Sequence, residues 1–252
     1  MTGASSGIGA ATVRALRDSG WDVVGVARRA DRLEALADET GAAVFAADLT
    51  SPADVDALAA HLAATGDLHA LVHVAGGARG VDRVEDGDPD DWTWMYEVNV
   101  LSAQRLVRAL LPQLRAAVRA GSAHADTLFV TSTAAQAAYP GGGGYNAAKA
   151  GESMLVQALR QELNGEPIRV VEVAPGLVHT DEFSRNRLGS QEAADAVYEG
   201  VEAPLVAEDV ADVIRYALGT PGHVNLDLVT MRPVAQSAQH ILARGPLRPR
   251  TS

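Results

Sequence analysis

Residues 2–9, TGASSGIG, set three glycines in the pattern T-G-x-x-x-G-x-G at the head of the chain. A loop of this kind leaves the carboxyl end of a β-strand and enters a helix, so it dictates the order of the elements around it. Gly3 and Gly7 let the backbone approach a pyrophosphate, and Gly9 permits close packing of the helix. The helix N-terminus adds unpaired N–H groups and a partial positive charge. The same letters contain G-A-S-S-G, which also satisfies the G-x-S-x-G nucleophile elbow of hydrolases, with Ser5 as nucleophile. An elbow needs an acid and a histidine later in the chain, and none of the seven histidines stands in a recognisable late-loop context.

The remaining chain alternates as the loop requires. ATVRALRDSG reads as a helix stopped by Gly20, WDVVGVARR as a buried strand running into a basic turn, DRLEALADETG as a helix and AAVFAADLT as a strand. SPADVDALAAHLAATG is a helix with Ser51 as N-cap and Pro52 in its first turn, and LHALVHVAGG is a strand. Helical stretches around 91–120 precede the strand DTLFVTSTAA, the helix YNAAKAGESMLVQALRQEL, the strand IRVVEVAPG, the helix AEDVADVIRYALGT and a last strand in HVNLDLVTMRP. Strands alternating with helices build a parallel sheet covered on both faces. With 47% apolar residues the 252-residue chain can fill one such core, so a single domain over 1–252 is expected. Segments 79–91 and 181–204 follow strand ends, where open α/β sheets bind ligands, and the charged, glycine-containing second one is expected to act as a substrate lid. The arginine-rich tail at 243–252 is expected to fray or to reach a neighbouring subunit.

Composition narrows the partners. A formal charge of −11 argues against nucleic-acid binding through a global positive field and favours a small molecule. Cysteine is absent, which excludes disulfides, thiolate metal sites and a cysteine nucleophile. There is neither an apolar run of membrane-spanning length nor a basic-then-apolar N-terminus, so a cytoplasmic, membrane-free protein is expected. His69 and His73 share one strand face without a third ligand, so no metal is expected. Among twenty-one cationic side chains, twenty are arginine and one is lysine, Lys149.

Lys149 stands four residues after Tyr145 at the start of a helix, so both project from one face. A neighbouring ammonium stabilises a phenolate and is expected to lower the tyrosine pKa, which makes a usable proton donor and acceptor. Guanidinium, a planar fork, does not replace a compact ammonium there. Ser132, thirteen residues before Tyr145, ends the strand DTLFVTS. Strand end and helix start therefore bring hydroxyl, phenol and ammonium to one sheet edge.

The glycine pattern, the serine after a central strand, Y-x-x-x-K and P-G after the next strand together resemble the short-chain dehydrogenase/reductase family over essentially the whole chain. The resemblance implies an α/β fold with a Rossmann-type doubly wound parallel sheet in three layers and strand order 3-2-1-4-5-6-7. It implies that Tyr145 exchanges a proton with the substrate oxygen, Ser132 hydrogen-bonds that oxygen, Lys149 tunes the tyrosine and holds the nicotinamide ribose, and Asn99 anchors a proton relay. It places Thr2, Gly3, Ser5, Ser6, Gly7, Ile8 and Gly9 around the pyrophosphate, Asp48 and Leu49 beside adenine, and Ala75 and Gly76 along the adenosine ribose. Pro175, Gly176, Val178 and Thr180 would position the nicotinamide ring. The second strand ends in Ala27 followed by Arg28 and Arg29, with no carboxylate to repel a 2′-phosphate, so NADP(H) is the expected cofactor.

Where the family has N-N-A-G, this chain has His73, Val74, Ala75 and Gly76, so the asparagine bonds that tie the central strands are expected to be replaced only in part. APGLVHTDEFSRNRLG and the segment from 208 to 236 resemble the NADP-dependent 3-hydroxy acid dehydrogenases, including those acting on serine and allo-threonine. That implies a small hydroxy acid as substrate, its carboxylate expected on Arg185 or Arg187 of the lid, with Arg187 favoured. A ketoreductase for a larger metabolite shares the same motifs, and a binding protein without chemistry is disfavoured by the intact Ser132, Tyr145, Lys149 and Asn99. Family members are usually homotetramers built here on 91–120, 143–163 and 224–231. The family carries valine where Met1 stands, and a GTG codon reads as valine or as a start. The natural chain is therefore expected to begin upstream with an apolar first strand, truncated here, and the 252-residue form to fold poorly and be inactive.

Overall fold

The computed structural model describes residues 1–249. Its elements run in the expected alternation: α1 (Gly7–Asp18), β1 (Val24–Ala27), α2 (Ala30–Thr40), β2 (Ala43–Ala46), α3 (Pro52–Thr65), β3 (Ala70–His73), α4 (Pro89–Tyr96), α5 (Ser102–Arg119) and β4 (Ala125–Val130). They continue through α6 (Gly143–Glu162), β5 (Ile168–Pro175), β6 (Val178–His179), α7 (Phe183–Leu188), α8 (Gln191–Tyr198), β7 (Leu205–Val206), α9 (Ala207–Leu218), β8 (Val229–Met231), β9 (Gln236–Ala238) and β10 (Ile241–Leu242).

Parallel strands pair in the order β3-β4-β5-β8 on one side and β1-β2 on the other. The opening residues stand between the two groups: Thr2 N donates to Val72 O at 2.9 Å, while Val26 N donates to Met1 O at 2.8 Å. Thr2 and Val26 form one parallel bridge, so the order 3-2-1-4-5-6-7 holds with its central member reduced to that bridge. Both inner strands, β4 and β5, are buried along their whole length, as a strand covered on two faces must be. Period-two alternation sends Leu128, Val171 and Val173 into the core beneath α1 and α9, and Phe129, Ile168 and Val170 into the core beneath α3, α5 and α6. Along α5 the repeat Leu106, Leu110, Leu114 forms one buried stripe; each such side chain contributes about 1.5–3 kcal/mol.

Three stretches differ from their sequence expectation. The helical region at 91–120 is interrupted by a π-helical turn, Glu97–Leu101, and the last strand shrinks to Val229–Met231. The tail, expected to fray or to reach a neighbouring subunit, also packs on its own chain before β7: Gly245 N donates to Gly200 O at 2.6 Å and Arg244 donates to Glu199 O. Its last residues, 250–252, lie outside the described ones. Among the described residues no helix is long and apolar enough to cross a membrane, and no group of His, Asp and Glu has the size of a metal site.

Candidate active site

A cleft of about 1100 Å³ opens along the carboxyl ends of the strands, from Arg28 and Asp48 at one end to Ser132, Tyr145 and Arg187 at the other. Of the residues assigned from sequence to catalysis, cofactor or substrate, all line this cleft except Thr2, Asn99 and the less favoured Arg185. Thr2 is buried beneath the loop, where its hydroxyl meets His73 Nδ1 at 2.9 Å and accepts from Val74 N at 3.1 Å and Ala75 N at 3.2 Å. It braces the end of β3 and does not face the cleft. The His73–Thr2 contact thus takes over part of the strand-tying expected of asparagine. Burial and the nearby Lys149 charge push His73 down to about 3, so its ring is neutral.

At the other side of the loop, Ser6 occupies the N-cap of α1 without a side-chain capping bond, which leaves the first N–H groups of the helix to the cleft. Gly9 is obligatory in packing terms, since a Cβ there would lie 1.9 Å from Gly3 O. The two arginines after β1 have different surroundings. Arg29 grips Glu182 with two bonds of 2.8 Å and also donates to Ser5 and Ser6. Glu182 is pulled down to about 2, chiefly by its hydrogen bonds from Arg29. Arg28 is exposed and has no ion-pair or hydrogen-bond partner among the described residues, and its charge is felt by Asp48. The neighbour of Ser5 is therefore a guanidinium, which cannot act as a general base, and the elbow reading finds no support.

Asn99 lies on the π-helical turn, a feature that rotates a side chain out of helical register. Its amide donates to Met95 O at 2.7 Å and Gly77 O at 2.9 Å, and its Oδ1 accepts from Gly77 N at 3.1 Å. Gly76 separates it from Lys149: a Cβ there would stand 2.6 Å from Asn99 Oδ1 and 3.3 Å from Lys149 Nζ. Lys149 Nζ donates to Val130 O at 3.2 Å and to Glu152 at 2.7 Å. Ser132, two residues past β4, accepts from Ala134 N at 3.1 Å and lines the cleft together with Tyr145. Phenol, hydroxyl and ammonium thus line one wall, with the Asn99 amide behind it across Gly76.

The phenol's electrostatics reverse one expectation. Lys149 and Ser132 do act to lower the Tyr145 pKa, but burial outweighs them, and Tyr139 and Glu152 add to the upward push, so the net direction is up. The sequence reading weighed the ammonium and not the desolvation. It also missed four contributors. Glu152, three residues beyond Lys149, was legible from helical spacing; Glu182 on Arg29, Gln239 on the Thr133 hydroxyl, and Gln236, whose Oε1 accepts from Leu177 N at 2.8 Å, are joined across 59 to 153 residues and left no local signal.

The uncapped helix end, the glycine-lined wall and a free guanidinium past β1 suit a dinucleotide with an anionic middle and a polar adenosine end. Comparison with known proteins agrees. The short chain dehydrogenase family pattern matches residues 1–191. An uncharacterized oxidoreductase of Mycobacterium tuberculosis is 48% identical, the match covering 98% of this chain and 95% of that one. Serine 3-dehydrogenase of Agrobacterium fabrum is 37% identical over 94% of both chains. The closed form of a serine dehydrogenase complexed with NADP+ superposes with a TM-score of 0.88 at 30% identity, covering 100% of this chain and 98% of that one. On fold, cleft and likeness together, this chain belongs to the short chain dehydrogenase family and is an oxidoreductase acting on CH–OH donors.

Proposed function

We propose that the protein interconverts a small 3-hydroxy acid and its keto acid with NADP(H). The observation that carries this reading is Arg187, whose guanidinium lies 5.4 Å from the Tyr145 ring. It is held by neutral acceptors alone, Tyr139 OH at 2.8 Å and the carbonyls of Gly80 and Gly141, and has no carboxylate partner among the described residues. An uncompensated cation beside the reactive phenol suits a substrate whose carboxylate lies close to its hydroxyl. A serine 3-dehydrogenase acts on such a compound, and the likeness to it supports the same class here.

In this reading Tyr145 takes the hydroxyl proton during oxidation and returns it during reduction, while Ser132 orients the oxygen. Lys149 holds the cofactor's ribose and supports the phenolate, and Asn99 keeps the backbone at Gly76 and Gly77 in place for a proton path. The bound nicotinamide dinucleotide supplies or accepts the hydride. Gly3, Ser5, Ser6, Gly7, Ile8 and Gly9 hold the pyrophosphate, Asp48 and Leu49 flank the adenine, and Val178 and Thr180 flank the nicotinamide. Arg28, unpaired, is the 2′-phosphate ligand. Arg29, already committed to Glu182, fastens residues 181–204 over the loop as a lid.

Arg28→Ala is expected to weaken NADPH binding about 10- to 100-fold and NADH binding far less, by fluorescence titration. Equal weakening of both would remove Arg28 from the 2′-phosphate. Arg187→Ala is expected to raise the KM for short 3-hydroxy acids about 10- to 100-fold, with a much smaller change for an uncharged alcohol. A screen of 3-hydroxy acids against bulky ketones decides the class, and turnover of bulky ketones alone would sink it. Assembly as a homotetramer completes the proposal: Tyr96 on α4, Met154 on α6 and Leu228 before β8 leave apolar surface exposed on the flanking faces. Light scattering that returned a monomer would rule it out.

A further inference from the structure

Behind the active-site wall lies a buried charge cluster that the roles above do not use. Glu152 is fully buried, one helical turn past Lys149 on the same face of α6, with Oε2 at 2.7 Å from Lys149 Nζ. Its Oε1 has no hydrogen-bond partner. Glu172 of β5, also buried, faces the same ammonium but commits its Oε1 to the Thr131 hydroxyl at 2.7 Å. The remaining titratable neighbours are Tyr145 on α6 and His73 at the end of β3.

A lysine with no counter-ion in so dry a place gives up its proton, because burial penalises the charged form alone. The contact carboxylate changes that balance. We propose that Glu152 is a positioning residue that keeps Lys149 protonated and aimed at the cleft, acting on the reaction only through that lysine. This rests on the reading of Tyr145 and Lys149 as the proton-handling pair. Burial acts to lower the Lys149 value, and Glu152 is the largest influence opposing it, the net direction being up. Glu152 itself is pushed up to about 7 by burial, so it is ionised on the alkaline side, where alcohol oxidation needs the phenolate. With Glu152 neutral, Lys149 would lose its proton as pH rises, and the phenolate would lose its support just when it forms.

Lys149 is the single lysine of the chain, so protein labelled with 13C at the lysine ε-carbon gives one lysine resonance. In the wild type that resonance is expected to keep its ammonium position beyond the pH at which a free lysine titrates. In Glu152→Gln its midpoint is expected to fall by about two pH units, and in Glu152→Asp, whose shorter side chain reaches less well, by a smaller amount in the same direction. Alcohol oxidation by Glu152→Gln is expected to acquire a falling alkaline limb, the loss in kcat deepening with pH to about tenfold near about pH 9.5. An unmoved midpoint in both variants overturns the proposal. A lowered midpoint in protein that turns over no alcohol supports the counter-ion role and counts against the catalytic reading instead.

Discussion

Tyr145→Phe is expected to reduce turnover in both directions by about 10²- to 10⁴-fold, with NADPH binding and thermal stability close to those of the wild type. The substitution removes one hydroxyl and keeps a buried ring that packs against Phe183 at 5.7 Å. Steady-state rates over a pH series check the assignment in more detail. Burial raises the Tyr145 pKa, so oxidation, which needs the phenolate, should climb as pH rises, while reduction, which needs the phenol, should persist until high pH. That dependence should vanish in the residual activity of the variant. Turnover within tenfold of the wild type would place the proton donor elsewhere.

Arg169→Met is expected to lower the unfolding free energy by about 3–5 kcal/mol, a large share of the roughly 5–15 kcal/mol that a domain possesses. Arg169 sits at the amino end of β5 with its side chain 4% exposed. It grips Asp126 of β4 at 2.6 and 3.0 Å, and donates to Leu218 O at 3.0 Å at the carboxyl end of α9 and to Thr220 O at 3.0 Å just past it. Methionine fills similar volume but leaves a buried carboxylate and several carbonyls without donors. Urea denaturation measures the loss, and adding Asp126→Asn should restore part of it by removing the stranded charge. Substrate KM should change little, because Pro175 and the cleft lie at the other end of the same strand.

The parts of the site that were legible in sequence are those that local geometry sets. Tyr145 and Lys149 share a face because a helix brings positions four apart together, and Ser51 caps α3 as its spacing predicts, accepting from Asp54 N. The glycine loop signalled its own contacts, since Gly9 can be nothing larger beside Gly3. Arg28 and Arg29 looked alike in sequence. They separate only in space, where a glutamate 153 residues after Arg29 claims it, while Arg28 has no partner among the described residues. Asn99 was singled out only through the family resemblance, and the π-helical turn on which it lies is a backbone irregularity invisible to a 3.6-residue period.

Strand and helix order, the parallel sheet, the glycine loop and the pairing of Tyr145 with Lys149 on one helix face were determined by sequence alone, because each follows from periodicity, spacing or the shape of a single residue. The tertiary structure decided the strengths of the charges. Burial pushes the Tyr145 phenol up, and two buried carboxylates, Glu152 a turn away on α6 and Glu172 on β5, oppose the effect of burial on Lys149. Desolvation and cross-chain pairing are properties of the packed interior, and they come into existence only when the chain closes on itself.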